Sequence, residues 1–97
     1  MKAGPEMDKM IAGKVMGFVC YRKIGCELCE PKPYSTDIAA AWEVVEKLRQ
    51  DGHWMTLEDD DIWDCCFTRK VGKIKIGFAE ADTVPLSICL AALKVVR

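Results

Sequence analysis

Between Pro33 and Gly52 the chain carries one word that leaves little choice of local structure: Pro33-Tyr34-Ser35-Thr36-Asp37-Ile38-Ala39-Ala40-Ala41-Trp42-Glu43-Val44-Val45-Glu46-Lys47-Leu48. Proline disfavours helix in the residue before it, so Lys32 is expected to be extended. Ser35 or Thr36 then serves as N-cap, its hydroxyl accepting a first-turn N–H, and Asp37 adds negative charge where the helix dipole favours it. Ile38, Ala41, Trp42, Val45 and Leu48 recur at helical spacing and form one apolar stripe. Glu43, Glu46, Lys47 and Gln50 take the other side, with Glu43 and Lys47 an i,i+4 pair. Gly52 supplies a stop. The pattern predicts a helix from Thr36 to Asp51 with Trp42 as its core anchor.

The flanks fit a small α+β chain. Met1 to Pro5 reads as a loose leader. Met7, Met10, Ile11, Val15 and Phe18 make a helical stripe over Glu6 to Gly17. Residues 19–33 read as a loop with Cys20, Cys26 and Cys29, opened by a short strand at Phe18 to Tyr21. After the central helix three short strands are expected, Trp54 to Glu58, Ile62 to Arg69 and Lys73 to Ala79. Met55 and Leu57 share a face in the first, Trp63, Cys65 and Phe67 in the second, Ile74, Ile76 and Phe78 in the third, where Lys73 and Lys75 face out. The links Glu58 to Asp61 and Lys70 to Lys73 are short enough only for an antiparallel meander. Asp82 or Thr83 then caps a last helix, Thr83 to Val96, with Pro85 in its first turn. That helix is apolar nearly all round, so it is expected inside the core or under a partner.

Composition narrows the function classes. A chain of 97 residues, 51% of them hydrophobic, makes one domain with one modest core. Fourteen basic residues against 15 acidic ones leave no cationic excess for a phosphate backbone, so nucleic-acid binding is disfavoured. No apolar run approaches a membrane span, and Glu6 and Asp8 break any signal-peptide pattern. The expected setting is intracellular, with reduced, buried or metal-bound cysteines rather than a disulfide framework.

Two constellations are candidate sites. In Cys20-x5-Cys26-x2-Cys29 the C-x2-C spacing lets two thiolates reach one zinc ion from a tight turn, and Cys20 makes a third ligand. The fourth must come from elsewhere, from His53, Cys65 or Cys66; the alternative is three reduced thiols in a loop. The second constellation is the pair of hydroxyl-rich helix starts. Tyr34, Ser35 and Thr36 open one helix and Thr83 the other, and side by side they would frame a small-ligand pocket with free backbone N–H groups. Because Cys65 and Cys66 are adjacent on a strand, they face opposite ways. The acidic run Glu58 to Asp61 lacks the spacing and glycine of a calcium loop and reads as a solvated turn. No nucleophile–base pair, paired carboxylate or phosphate-binding loop stands out, so no enzyme activity is expected.

Three words taken together resemble the phage ABA sandwich domain family of tailed phages and prophages. They are Lys14-Val15-Met16-Gly17-Phe18, Tyr34 through Leu48, and Ala79 through Leu93. A more distant likeness is to the NinX-type phage proteins, through the Ala-Trp word and the late helix start. The resemblance implies an α/β/α sandwich and a phage origin, with no established enzyme activity; the cysteine cluster is outside what it implies. The expected protein is a non-enzymatic phage accessory protein in the host cytoplasm, acting through contacts with a host or phage protein and with a homodimer among the candidate assemblies. The alternatives are a binder that sequesters nucleotide signals used in host defence, and a zinc-stabilised interaction module.

Overall fold

The computed structural model describes residues 2–17 and 32–96. The architecture is α+β: helix α1 (Pro5–Met10), π-helical turns over Ile11–Val15, helix α2 (Ile38–Gln50), an antiparallel meander of β1 (His53–Asp59), β2 (Trp63–Arg69) and β3 (Ile74–Ala81), then helix α3 (Val84–Val95). The expected strand at Phe18 to Tyr21 lies outside the described residues, as does nearly all of the expected loop.

The N-terminal helix starts at Pro5, where a missing N–H costs nothing. It widens after Met10, and Met16 N–H reaches back five residues to the Ile11 carbonyl at 3.0 Å. The wider turns keep Met7, Ile11 and Val15 buried on one side. Gly17, with φ of 74°, ends the run. Gly4 belongs to the packed structure rather than to a leader: its N–H donates to Ser35 Oγ at 2.9 Å.

In α2 the cap is Asp37, whose carboxylate accepts from Ala39 N–H at 3.2 Å, and not Ser35 or Thr36. Both residues fall in a turn that comes first, with Thr36 and Asp37 N–H bonded to the Pro33 carbonyl. The buried arc also sits further round than the stripe suggested. Ala40, Ala41, Val44, Val45 and Leu48 face inward, while Ile38 is half exposed and Trp42 is 46% exposed. Trp42 is therefore no core anchor. The inner side of α2 packs against neighbours through alanine and valine, and a bulky indole fits only at its margin. Glu43 pairs with Lys32 at 2.7 Å and Lys47 with Asp51 at 3.7 Å, so the expected Glu43–Lys47 pair is not formed. These exposed pairs add little stability.

The meander pairs β1 with β2 along its whole length and β2 with β3 up to a shift after Phe67, with Leu57 opposite Cys65 and Cys65 opposite Ala79. On the inner face lie Met55 and Leu57 from β1 and Cys65 and Phe67 from β2, as the alternation implies. The third strand reverses the expectation. A register shift between Phe67 and Thr68 leaves Ile76 as an extra residue, and Gly77, Ala79 and Ala81 turn inward while Phe78 turns outward. The reason is α3, which lies so close that a β carbon on Gly77 would sit 2.5 Å from the Ala91 carbonyl oxygen. Only the small residues of β3 fit beneath it.

Helix α3 opens on Thr83, whose hydroxyl accepts from Leu86 N–H at 3.4 Å, with Pro85 in the first turn. It packs on β2 and β3 on one side and against α2 and the π-helical turns on others. Being enclosed from several directions explains its lack of a polar face. Lys94 in its last turn donates to the Phe78 carbonyl, tying helix to strand.

Candidate interaction surface

On the side of the sheet turned away from α3, nine residues stand in three cross-strand rows. One row is Trp54, Thr68 and Lys75; the middle row is Thr56, Cys66 and Phe78; the last is Glu58, Asp64 and Glu80. Thr56, Glu58, Asp64, Cys66, Lys75 and Phe78 line a cavity of about 120 Å³ on this face. Trp54 is 43% exposed and Phe78 48%. Large aromatic side chains held open on a flat β surface are a feature of contact sites, since each leaves apolar area in water that a partner would remove.

The charges on this face are segregated. Like charges directly opposite one another on a sheet are destabilising, yet Glu58, Asp64 and Glu80 stand in one row. Asp64 Oδ1 is buried and has no hydrogen-bond partner among the described residues. The β1–β2 turn continues the acidic end with Asp59, Asp60 and Asp61, all exposed. At the other end of the strands the β2–β3 hairpin holds Arg69, Lys70, Lys73 and Lys75, also exposed. Among the described residues the ion pairs are Lys32–Glu43, Lys47–Asp51 and Arg49–Glu46, and none of them draws on either end of the sheet.

The residues singled out by sequence for a ligand pocket lie elsewhere. Tyr34 and Ser35 are 1% and 0% exposed, so neither has surface to offer a ligand. The Ser35 hydroxyl donates to Asp8 Oδ1 at 2.7 Å, and Ser35 N–H donates to the same oxygen at 2.8 Å. Asp8, itself buried, thus fastens α1 to the start of α2. Burial raises the Tyr34 phenol above its ordinary pKa, with the Glu43 charge adding to it. Thr36 is exposed, and the Thr83 hydroxyl caps its own helix.

Of the expected zinc ligands, Cys20, Cys26 and Cys29 lie outside the described residues. His53 opens β1 half-buried, with Nδ1 buried and unpartnered among the described residues. No group of three or more His, Cys, Asp or Glu among the described residues is placed to hold a metal ion. Cys65 and Cys89 are fully buried, and loss of water pushes each thiol up to about 12, with nearby Cys66 adding to the effect on Cys65 and Asp8 to that on Cys89. Cys66 faces the outer side, as the alternation of strand residues requires.

The outer face is not legible in the sequence, because the apolar alternation of Ile74, Ile76 and Phe78 predicts those residues to face inward. The signal that finds it is the small-residue alternation Gly77, Ala79, Ala81, which marks a strand pressed against a helix.

Comparison with known proteins places these features in a family. A family model described as the phage ABA sandwich domain matches residues 9–93. Among solved structures, a phage protein from Bacillus cereus ATCC 14579 is similar, with a TM-score of 0.77 and 28% sequence identity, over 99% of this chain and 88% of that one. No curated protein matches.

Proposed function

The chain belongs to the phage ABA sandwich domain family, and from that premise we propose that it is a non-enzymatic phage accessory protein that works in the host cytoplasm through protein contacts on the outer face of its sheet. The observation that supports this reading is the pair of half-exposed aromatics, Trp54 and Phe78, on a strand surface whose two ends carry charge of opposite sign that forms no ion pair among the described residues. Burying both aromatics offers a partner an apolar anchor, and the charged ends set orientation and encounter rate.

The test is affinity capture from phage-infected host cells, with wild type and the double variant Trp54→Ser/Phe78→Ser, followed by mass spectrometry of what is retained. The expected result is a discrete set of proteins, this chain included, retained by wild type and lost by the variant. The same set on both proteins would place the contact elsewhere.

A further inference from the structure

We propose that the occupant of the outer sheet face is a second copy of this chain, packed sheet to sheet about a two-fold axis that runs across the strands. The proposal rests on the protein-contact reading above and names the partner for that surface.

Two symmetric arrangements keep the strands of the two copies aligned. A two-fold axis along the strands would lay each row over its own copy, so that Glu58, Asp64 and Glu80 meet a second set of the same three acids. An axis across the strands reverses the direction of one copy. The acidic row and its Asp59 to Asp61 turn then lie over the Lys75 row and the Lys70 to Lys73 hairpin of the other, twice over. Only the second arrangement pairs charge with opposite charge, and an isologous interface needs that self-complementarity. The row that stays on the axis is the uncharged one, Thr56, Cys66 and Phe78. Cys66, the middle residue of the middle strand, lies at the centre of the patch, and Phe78 packs beside the same row of the other copy. Aligned sheets pack about 10 Å apart, which suits side chains of this size.

The arrangement also accounts for a cost within one copy. Three carboxylates in one row repel one another, and among the described residues none of them is in an ion pair, Lys75 sharing only the cavity that Glu58 and Asp64 border. The lysine row of a second copy does. Strength of association then depends on salt, because the pairs lie at the rim of the patch.

The test uses purified full-length protein and two charge-reversed variants. One is Glu58→Lys/Glu80→Lys, which reverses two of the three charges in the acidic row. The other is Lys70→Glu/Lys75→Glu, which reverses two of the four cations at the hairpin end. All four positions are exposed, and circular dichroism confirms that each variant folds. Sedimentation velocity and native mass spectrometry read the assembly. The expected result is a wild-type dimer whose Kd rises about tenfold or more between about 50 and 500 mM salt. Each variant alone is expected to be monomeric, and an equimolar mixture of the two to form a heterodimer. A wild-type dimer that survives both reversals would overturn the proposal, as would a mixture that stays monomeric. If wild type is monomeric yet another protein is captured through Trp54 and Phe78, the second-copy proposal falls while the protein-contact reading stands.

Discussion

Gly77 and Ala91 approach so closely that strand and helix touch backbone to backbone: a β carbon at Gly77 would stand 2.5 Å from the Ala91 carbonyl oxygen and 2.7 Å from a Val95 methyl. This contact decides which face of β3 looks inward, and therefore which residues are left on the outer face.

Gly77→Ala is expected to destabilise the fold by about 2 to 3 kcal/mol, because the carbonyl cannot move without shifting α3. In a domain of this size that lowers Tm by roughly 10 to 20 °C. Gly13→Ala is the contrast: nothing lies within 4 Å of the added carbon, and the backbone there is already helical. It is expected to be neutral or stabilising by up to about 1 kcal/mol. Urea denaturation of both variants checks the pair.

Trp42 and Leu48 lie on the same helix and are expected to differ sharply. Leu48→Ala opens a cavity in the core and is expected to cost about 2 to 5 kcal/mol. Trp42 is 46% exposed, so Trp42→Ala is expected to cost well under half as much, despite removing a larger side chain. Equal losses in urea would return Trp42 to the core.

Much of the fold was legible in the pattern of residues, and the failures share a cause. Helix existence, strand order and the Cys65/Cys66 split follow from local periodicity and short turns, which need no knowledge of neighbours. The Ser35 assignment failed because its best partner is Asp8, 27 positions away. Trp42 and Phe78 lie outside although their bulk favours burial, because close packing of α2 and α3 selects small residues for the interior. The outer face could be drawn only once the inner one was known.

Asp8 is expected to matter through two hydrogen bonds. Asp8→Ala leaves the buried Ser35 N–H and hydroxyl without their acceptor, at about 2 to 3 kcal/mol. Asp8→Asn keeps an acceptor oxygen and is expected to lose less. Because both side chains share one network, Asp8→Ala/Ser35→Ala is expected to cost less than the sum of the single variants, measured by a double-mutant cycle in urea.

The buried thiols set a pH dependence. Cys65 and Cys89 titrate near 9.0 when unfolded and are pushed up to about 12 in the fold, so between these values the unfolded chain gives up protons that the native one keeps. The folded state then binds more protons, and stability falls as pH rises from about 9 towards 12, by on the order of 1 kcal/mol per unit for each thiol. Cys89→Ala is expected to flatten that slope in denaturant titrations. In native protein, Cys66 is expected to react with a thiol reagent well before Cys65 or Cys89, read by peptide mapping of the alkylated chain.

The most direct measurement is hydroxyl-radical footprinting of Trp42, Trp54 and Phe78, with the protein dilute and alone, then concentrated, then in extract of infected host. Oxidation of Trp54 and Phe78 is expected to fall several-fold once a partner is present, while Trp42 on α2 keeps its rate. Protection of Trp42 with unchanged Trp54 and Phe78 would contradict the assignment of the outer sheet face and move the contact to α2.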